Sequence, residues 1–239
     1  METCQSIVTK DYKKTLVCNK GDIMLESYNY IVNNKKAYSL FCNFDNINTS
    51  NINVNALLSS EIYILLEKIN PELIEQLYIL KQVNQSETDI CILLKPIAKE
   101  IGIKQKYILF RNSKYLDIEN KKVVFDNKDL SLINKDLAKE YIDNINLNLN
   151  KYEPIIFNFG KTIINLDKID HNEIIKLNNN ETIKKTLAIN FQIDFQMLIK
   201  DDLPIYMEDL IGFMMKKLFY NLKQFIDKVN NNNININNV

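Results

Sequence analysis

The sequence predicts an α+β fold: mainly antiparallel sheet with amphipathic helices packed on one face. Three observations carry this expectation. Apolar residues make up 46% of the 239 residues, enough for a sizeable core. The segment "TLAINFQIDFQM" (186–197) alternates apolar and polar residues without a break, the pattern of a half-buried strand. The segment that follows, 203–229, sets Met207, Ile211, Met214, Leu218, Leu222, Phe225 and Val229 in one arc of a helical wheel.

Along the chain, residues 1–13 are expected to be a flexible N-terminus. "KTLVC", "IMLESYNYIV" and "AYSLFCNF" are then three strands of a meander, joined by the turn-forming "NKGD" and "NNKK". Leu58, Ile62, Leu65 and Ile69 share one helical face. Asn70, Pro71 and Glu72 suit the start of a second helix running to about Val83, with Leu73, Leu77 and Leu80 inward, which completes a helical hairpin. "ICILL" is dense enough for a buried strand ending near Lys95, followed by a helical turn to Gly102. "QKYILFR", "KYLDI" and "KKVVF" predict three short strands, and residues 132–147 a helix with Leu137, Tyr141 and Ile145 on one face. "PIIFNFGKTIINL" predicts a hairpin turning at Gly160-Lys161. A weak boundary near residue 150 separates a 14–150 region from 151–229, the two packing as one unit, and 230–239 is an Asn-rich tail expected to be disordered. The amphipathic helix is expected to cover the sheet that contains 187–197.

Composition excludes several functions. Formal net charge is zero, so nothing pulls the chain as a whole toward nucleic acid or anionic membrane. Arg111 is the one arginine, which argues against bidentate base or phosphate readout. There are four glycines, all far apart, so no phosphate-cradling fingerprint can be written; asparagine is left to take over many turns. His171 is the one histidine, and Cys4, Cys18, Cys42 and Cys91 show no C-x-x-C spacing, so no metal or cofactor site is expected. With no signal peptide and no apolar run of membrane-spanning length, the expectation is a cytoplasmic or nuclear protein.

Elimination points to a non-enzymatic intracellular interaction or adaptor protein, a subunit of a larger complex whose partner is another protein. Phe213 and Tyr220 lie off the apolar arc of 203–229 and are the candidate contact residues. The first alternative is binding of single-stranded nucleic acid or another polyanion through Lys95–Lys114. There Lys104, Lys106 and Arg111 alternate with aromatics such as Tyr107. The second alternative is a cysteine-dependent enzyme pairing Cys42 or Cys91 with His171, oriented by Asp167, Asp170 or Glu173. Asp201, Asp202, Glu208 and Asp209 are acidic doublets at a helix start, where the macrodipole explains them without a metal.

Overall fold

The computed structural model describes residues 13–30, 35–96, 104–167, 169–179, 181, 186–199 and 209–232, apart from the side chains of His171, Leu177, Asn178 and Asn232. The expected flexible N-terminus up to residue 12, the helical turn before Gly102, the start of the last helix at 203–208 and the tail from 233 lie outside these residues.

The meander forms as expected. Strands β1 (Thr15–Lys20), β2 (Ile23–Tyr30) and β3 (Lys35–Asn48) pair antiparallel. Gly21 turns the first hairpin at φ +60°, and Asn46 and Asn146 adopt φ 60° and 50°, so asparagine does serve left-handed positions in this glycine-poor chain. Short α1 (Val54–Leu57) and α2 (Glu61–Ile69) follow. Asn70 then ends α2 instead of starting a second helix: its buried Nδ2 donates to the Leu66 carbonyl at 2.9 Å.

The expected helical hairpin is therefore corrected: residues 74–82 are an edge strand, β4 (Ile74–Gln82), paired with β5 (Glu87–Leu94). Its register shifts between Ile74 and Gln76 and again between Ile79 and Lys81. Each bulge adds a residue and changes the two-residue period into steps that imitate a helix. β5 is the strand expected from "ICILL": Ile90, Ile92 and Leu94 face one core, Cys91 and Leu93 another. "QKYILFR" and "KYLDI" are one long strand, β6 (Gln105–Asp117), which pairs with β7 (Lys122–Asp129). α3 (Leu130–Ile133) and α4 (Lys135–Asn144) follow, and β8 (Tyr152–Pro154) runs parallel to the start of β6.

The hairpin expected at Gly160 is also corrected. β9 (Ile156–Asn165) passes straight through it. After α5 (His171–Asn178), β10 (Thr186–Leu198) buries Leu187, Ile189, Phe191, Ile193, Phe195 and Met197, as its alternation predicts. The sheet order is β1-β2-β3-β10-β9-β7-β6-β5-β4. The first and last parts of the chain are thus laced together, since β10 pairs with β3 and β9 with β7.

The last helix, α6 (Leu210–Asn232), lies over β2 and β3 and meets α2. Its buried stripe is Ile211, Phe219, Leu222, Ile226 and Val229, slightly rotated from the expected arc. Gly212 lets it settle closely: a Cβ there would stand 2.7 Å from the Tyr38 ring and 3.2 Å from Leu25. Its ends are fixed. Lys36 and the Tyr38 hydroxyl donate to Asp209 Oδ1 at 3.0 and 3.2 Å. Asn230 accepts from the Asn48 amide at 3.0 Å and donates to the Asn46 carbonyl at 2.9 Å. The α+β class stands. α2 and α6 share the main core on one sheet face, while α3 and α4 cover a smaller core over β5 and β6 on the other.

Candidate functional site

The sheet face beneath α6 carries an unusual number of aromatic rings. The Phe191 ring lies 6.0 Å from Phe219 of α6, Phe110 lies 5.8 Å from Phe157, and Tyr63 of α2 meets Phe110 edge-on at 5.4 Å. Gly160 explains how Phe157 fits. Its missing side chain is where the Phe157 ring sits, so any Cβ at 160 would overlap that ring. The register shift between Gln196 and Met197 on β10 brings both residues of β9 to the inner face.

The rings of Tyr63, Phe110, Phe157 and Phe219 border a void of about 90 Å³. α2 contributes Tyr63 and Leu66, the sheet contributes Ile92, Ile108, Phe110, Phe157 and Ile193, and α6 closes it with Met215, Leu218 and Phe219. Among the described residues, no Asp, Glu, Lys, Arg or His side chain lines it. The polar side chains among its described lining residues are Tyr63, Asn127 and Thr162.

Those polar residues end a buried seam. Thr88, Asn112, Asn127 and Gly160 are successive direct partners across β5, β6, β7 and β9. Asn127 Oδ1 accepts from Asn112 Nδ2 at 2.7 Å and from the Tyr63 hydroxyl at 3.1 Å. Burial pushes the Tyr63 hydroxyl well above the ordinary tyrosine range, so it remains a neutral donor. A void this apolar cannot stabilise a charge; it can hold hydrocarbon and offer a few hydrogen bonds.

The candidate residues read from the sequence lie elsewhere. Lys104 and Lys106 share Glu153, at 3.3 and 3.1 Å, and the Lys106 side chain is 1% exposed. Tyr107 is buried in the smaller core. Arg111 forks onto the buried carboxylate of Asp89 at 2.7 and 3.0 Å, and Tyr141 donates to the same carboxylate at 3.1 Å. The expected polyanion-binding stripe is thus corrected, because its strongest cations are held by carboxylates. Phe213 is 46% exposed, and Tyr220 lies beneath Lys20 Nζ, 4.8 Å from the ring centroid. Asp209 pairs with Lys36, while Asp201, Asp202 and Glu208 lie outside the described residues.

The cysteine-enzyme alternative is also corrected. Cys42 and Cys91 are fully buried in separate cores, and burial pushes both thiols up to about 12. His171 opens α5. The residues of the void are hard to read from the sequence because eight elements contribute to it: α2, β4, β5, β6, β7, β9, β10 and α6. Two local features do mark it in the sequence: asparagines inside strands at 112 and 127, and a glycine inside an alternating run at 160.

No family model matches the sequence, and no curated protein matches it. Solved structures do. Human StAR-related lipid transfer protein 5 superposes with a TM-score of 0.64 at 8% identity, over 92% of this chain and 89% of that one. The lipid transfer and protein localization domain of human StarD13 gives 0.59 at 6% identity, over 89% and 88%. A fragment of a STAR-related lipid transfer protein from Xanthomonas axonopodis gives 0.54 at 6%, over 90% and 98%. This likeness overturns the expectation of an adaptor or complex subunit with a protein partner. The helix on which that expectation rested is seated on the sheet over an apolar void. At these identities the likeness is one of fold: the chain has the helix-grip α+β fold of StAR-related lipid transfer domains.

Proposed function

We propose that this chain binds a lipid, one molecule at a time, between the sheet and α6, and carries it through water. The observation that supports this most is the uncharged, aromatic-walled void on the sheet face that α6 covers, in a fold whose solved examples include lipid-transfer proteins. Each methylene moved from water into such a site contributes about 0.8 kcal/mol. Ten of them offset the several kcal/mol lost on association.

The void is smaller than the engineered cavity of about 150 Å³ that holds a benzene ring. A lipid therefore has to make room, and the wall is built for that. Met197 and Met215 are flexible thioethers that repack easily. Met215 and Leu218 lie half-buried on α6, so a small outward shift of that helix enlarges the space. Among the described residues no helix is long and apolar enough to cross a membrane. Free thiols at Cys18, Cys42 and Cys91 suit a reducing compartment, cytoplasmic or nuclear.

Native mass spectrometry after incubation with mixed-lipid vesicles tests the proposal. The expected spectrum shows one added lipid mass per chain. A chain that emerges bare from every lipid mixture is a chain whose void is only a packing flaw, and the proposal then fails.

A further inference from the structure

We infer that the ligand is uncharged and carries a hydrogen-bonding oxygen, which is held by Asn127 and Thr162; this rests on the lipid-binding reading above. The two residues stand on neighbouring strands of the inner face. Asn127 is directly opposite Gly160, and Thr162 is two positions further along the same strand. Both line the void. Asn127 is 7% exposed and its Oδ1 is already occupied by Asn112 and Tyr63. That leaves its Nδ2 as a donor without a partner among the described residues. The Thr162 hydroxyl has no protein partner among them either, and it can donate or accept.

A polar atom left without a partner beside an apolar void is costly, and a ligand oxygen supplies what both groups lack. A hydroxyl, ester or ketone oxygen would accept from Asn127 Nδ2 and exchange a hydrogen bond with Thr162. A carboxylate, phosphate or quaternary ammonium would enter the same wall with no opposite charge to meet it among the described residues. The rest of the seam keeps the site in place, because Asn112 and Tyr63 fix the Asn127 amide from behind. The selected class is therefore neutral oxygenated lipids such as sterols, long-chain alcohols and diacylglycerols.

The test uses the full chain and the fluorescent hydrocarbon diphenylhexatriene, which has no polar atoms and reports on the void alone. It is displaced by three probes of equal chain length at pH 8: 1-decanol, decanoate and decyltrimethylammonium. The expected order has decanol at least about tenfold tighter than either ion. Thr162→Val keeps the side-chain shape and removes the hydroxyl. It should weaken decanol about fivefold to tenfold more than it changes diphenylhexatriene binding, and a circular dichroism spectrum like that of the wild type reports an intact fold. If diphenylhexatriene binds but an ion displaces it as well as decanol does, the inference is overturned and lipid binding stands. Thr162→Val binding decanol like the wild type overturns it too. If the hydrocarbon does not bind at all, the lipid-binding reading falls, and the inference with it.

Discussion

Replacing Leu218 by phenylalanine should make the protein more stable and worse at its task. Leu218 is half-buried on α6 and faces the void beside Met215 and Phe219. At about 24 cal/mol per Å³, an unfilled 90 Å³ costs about 2 kcal/mol of stability. A ring that fills half of it recovers about 1 kcal/mol, provided it takes an unstrained rotamer. For a chain of this size that raises Tm by about 2–4 °C. The same ring occupies space the ligand needs, so diphenylhexatriene affinity should fall at least about tenfold, since excluding two methylene-sized groups at about 0.8 kcal/mol each already exceeds about 1.4 kcal/mol. Thermal melting followed by circular dichroism, together with hydrocarbon binding, reads both effects. A variant that melts lower yet binds as tightly as the wild type would show that the void is not where ligand goes.

Three further outcomes follow from the same contacts. Arg111→Ala strands the carboxylate of Asp89 in the smaller core and should cost about 3–5 kcal/mol in urea unfolding; a loss below 1 kcal/mol would mean the pair is dispensable. Gly212→Ala forces α6 away from Tyr38, and the strain should outweigh the gain in helix propensity by about 1 kcal/mol, whereas a raised urea midpoint would show that the helix has room to spare. Burial raises the Cys42 and Cys91 thiols from 9.0 to about 12, so the folded state holds their protons longer than the unfolded state does. Their contribution is therefore complete below pH 9 and is lost as pH climbs toward 12; a urea midpoint that stays level across that window, or rapid disulfide exchange of both thiols at pH 8 without unfolding, would contradict their burial.

How much of this was legible depended on whether a segment's period survived in the structure. β10 has an uninterrupted two-residue alternation, and α6 has a continuous apolar stripe, so both could be read directly. β4 could not, because bulges beside Ile74 and Ile79 shift its faces and give it a helical appearance. Gly160 looked like a turn because a glycine between two apolar runs usually is one; only the Phe157 ring folded over it explains a glycine within a strand. The basic stripe could be seen, but not its neutralisation. Glu153 reaches Lys106 from 47 residues away, and Asp89 reaches Arg111 from the neighbouring strand. The void is the extreme case. Tyr63, Phe110, Asn127, Phe157, Thr162 and Leu218 become one wall only after the sheet order is known.

The most direct test of the central claim is photo-crosslinking with a sterol or long-chain alcohol that carries a diazirine, followed by peptide mapping. Label on Phe157, Met215, Leu218 or Phe219 is the predicted result, with Leu218→Phe losing it. Label confined to outward residues such as Phe213 or Leu132 would contradict the account, since the lipid would then be meeting the protein's surface and not its interior.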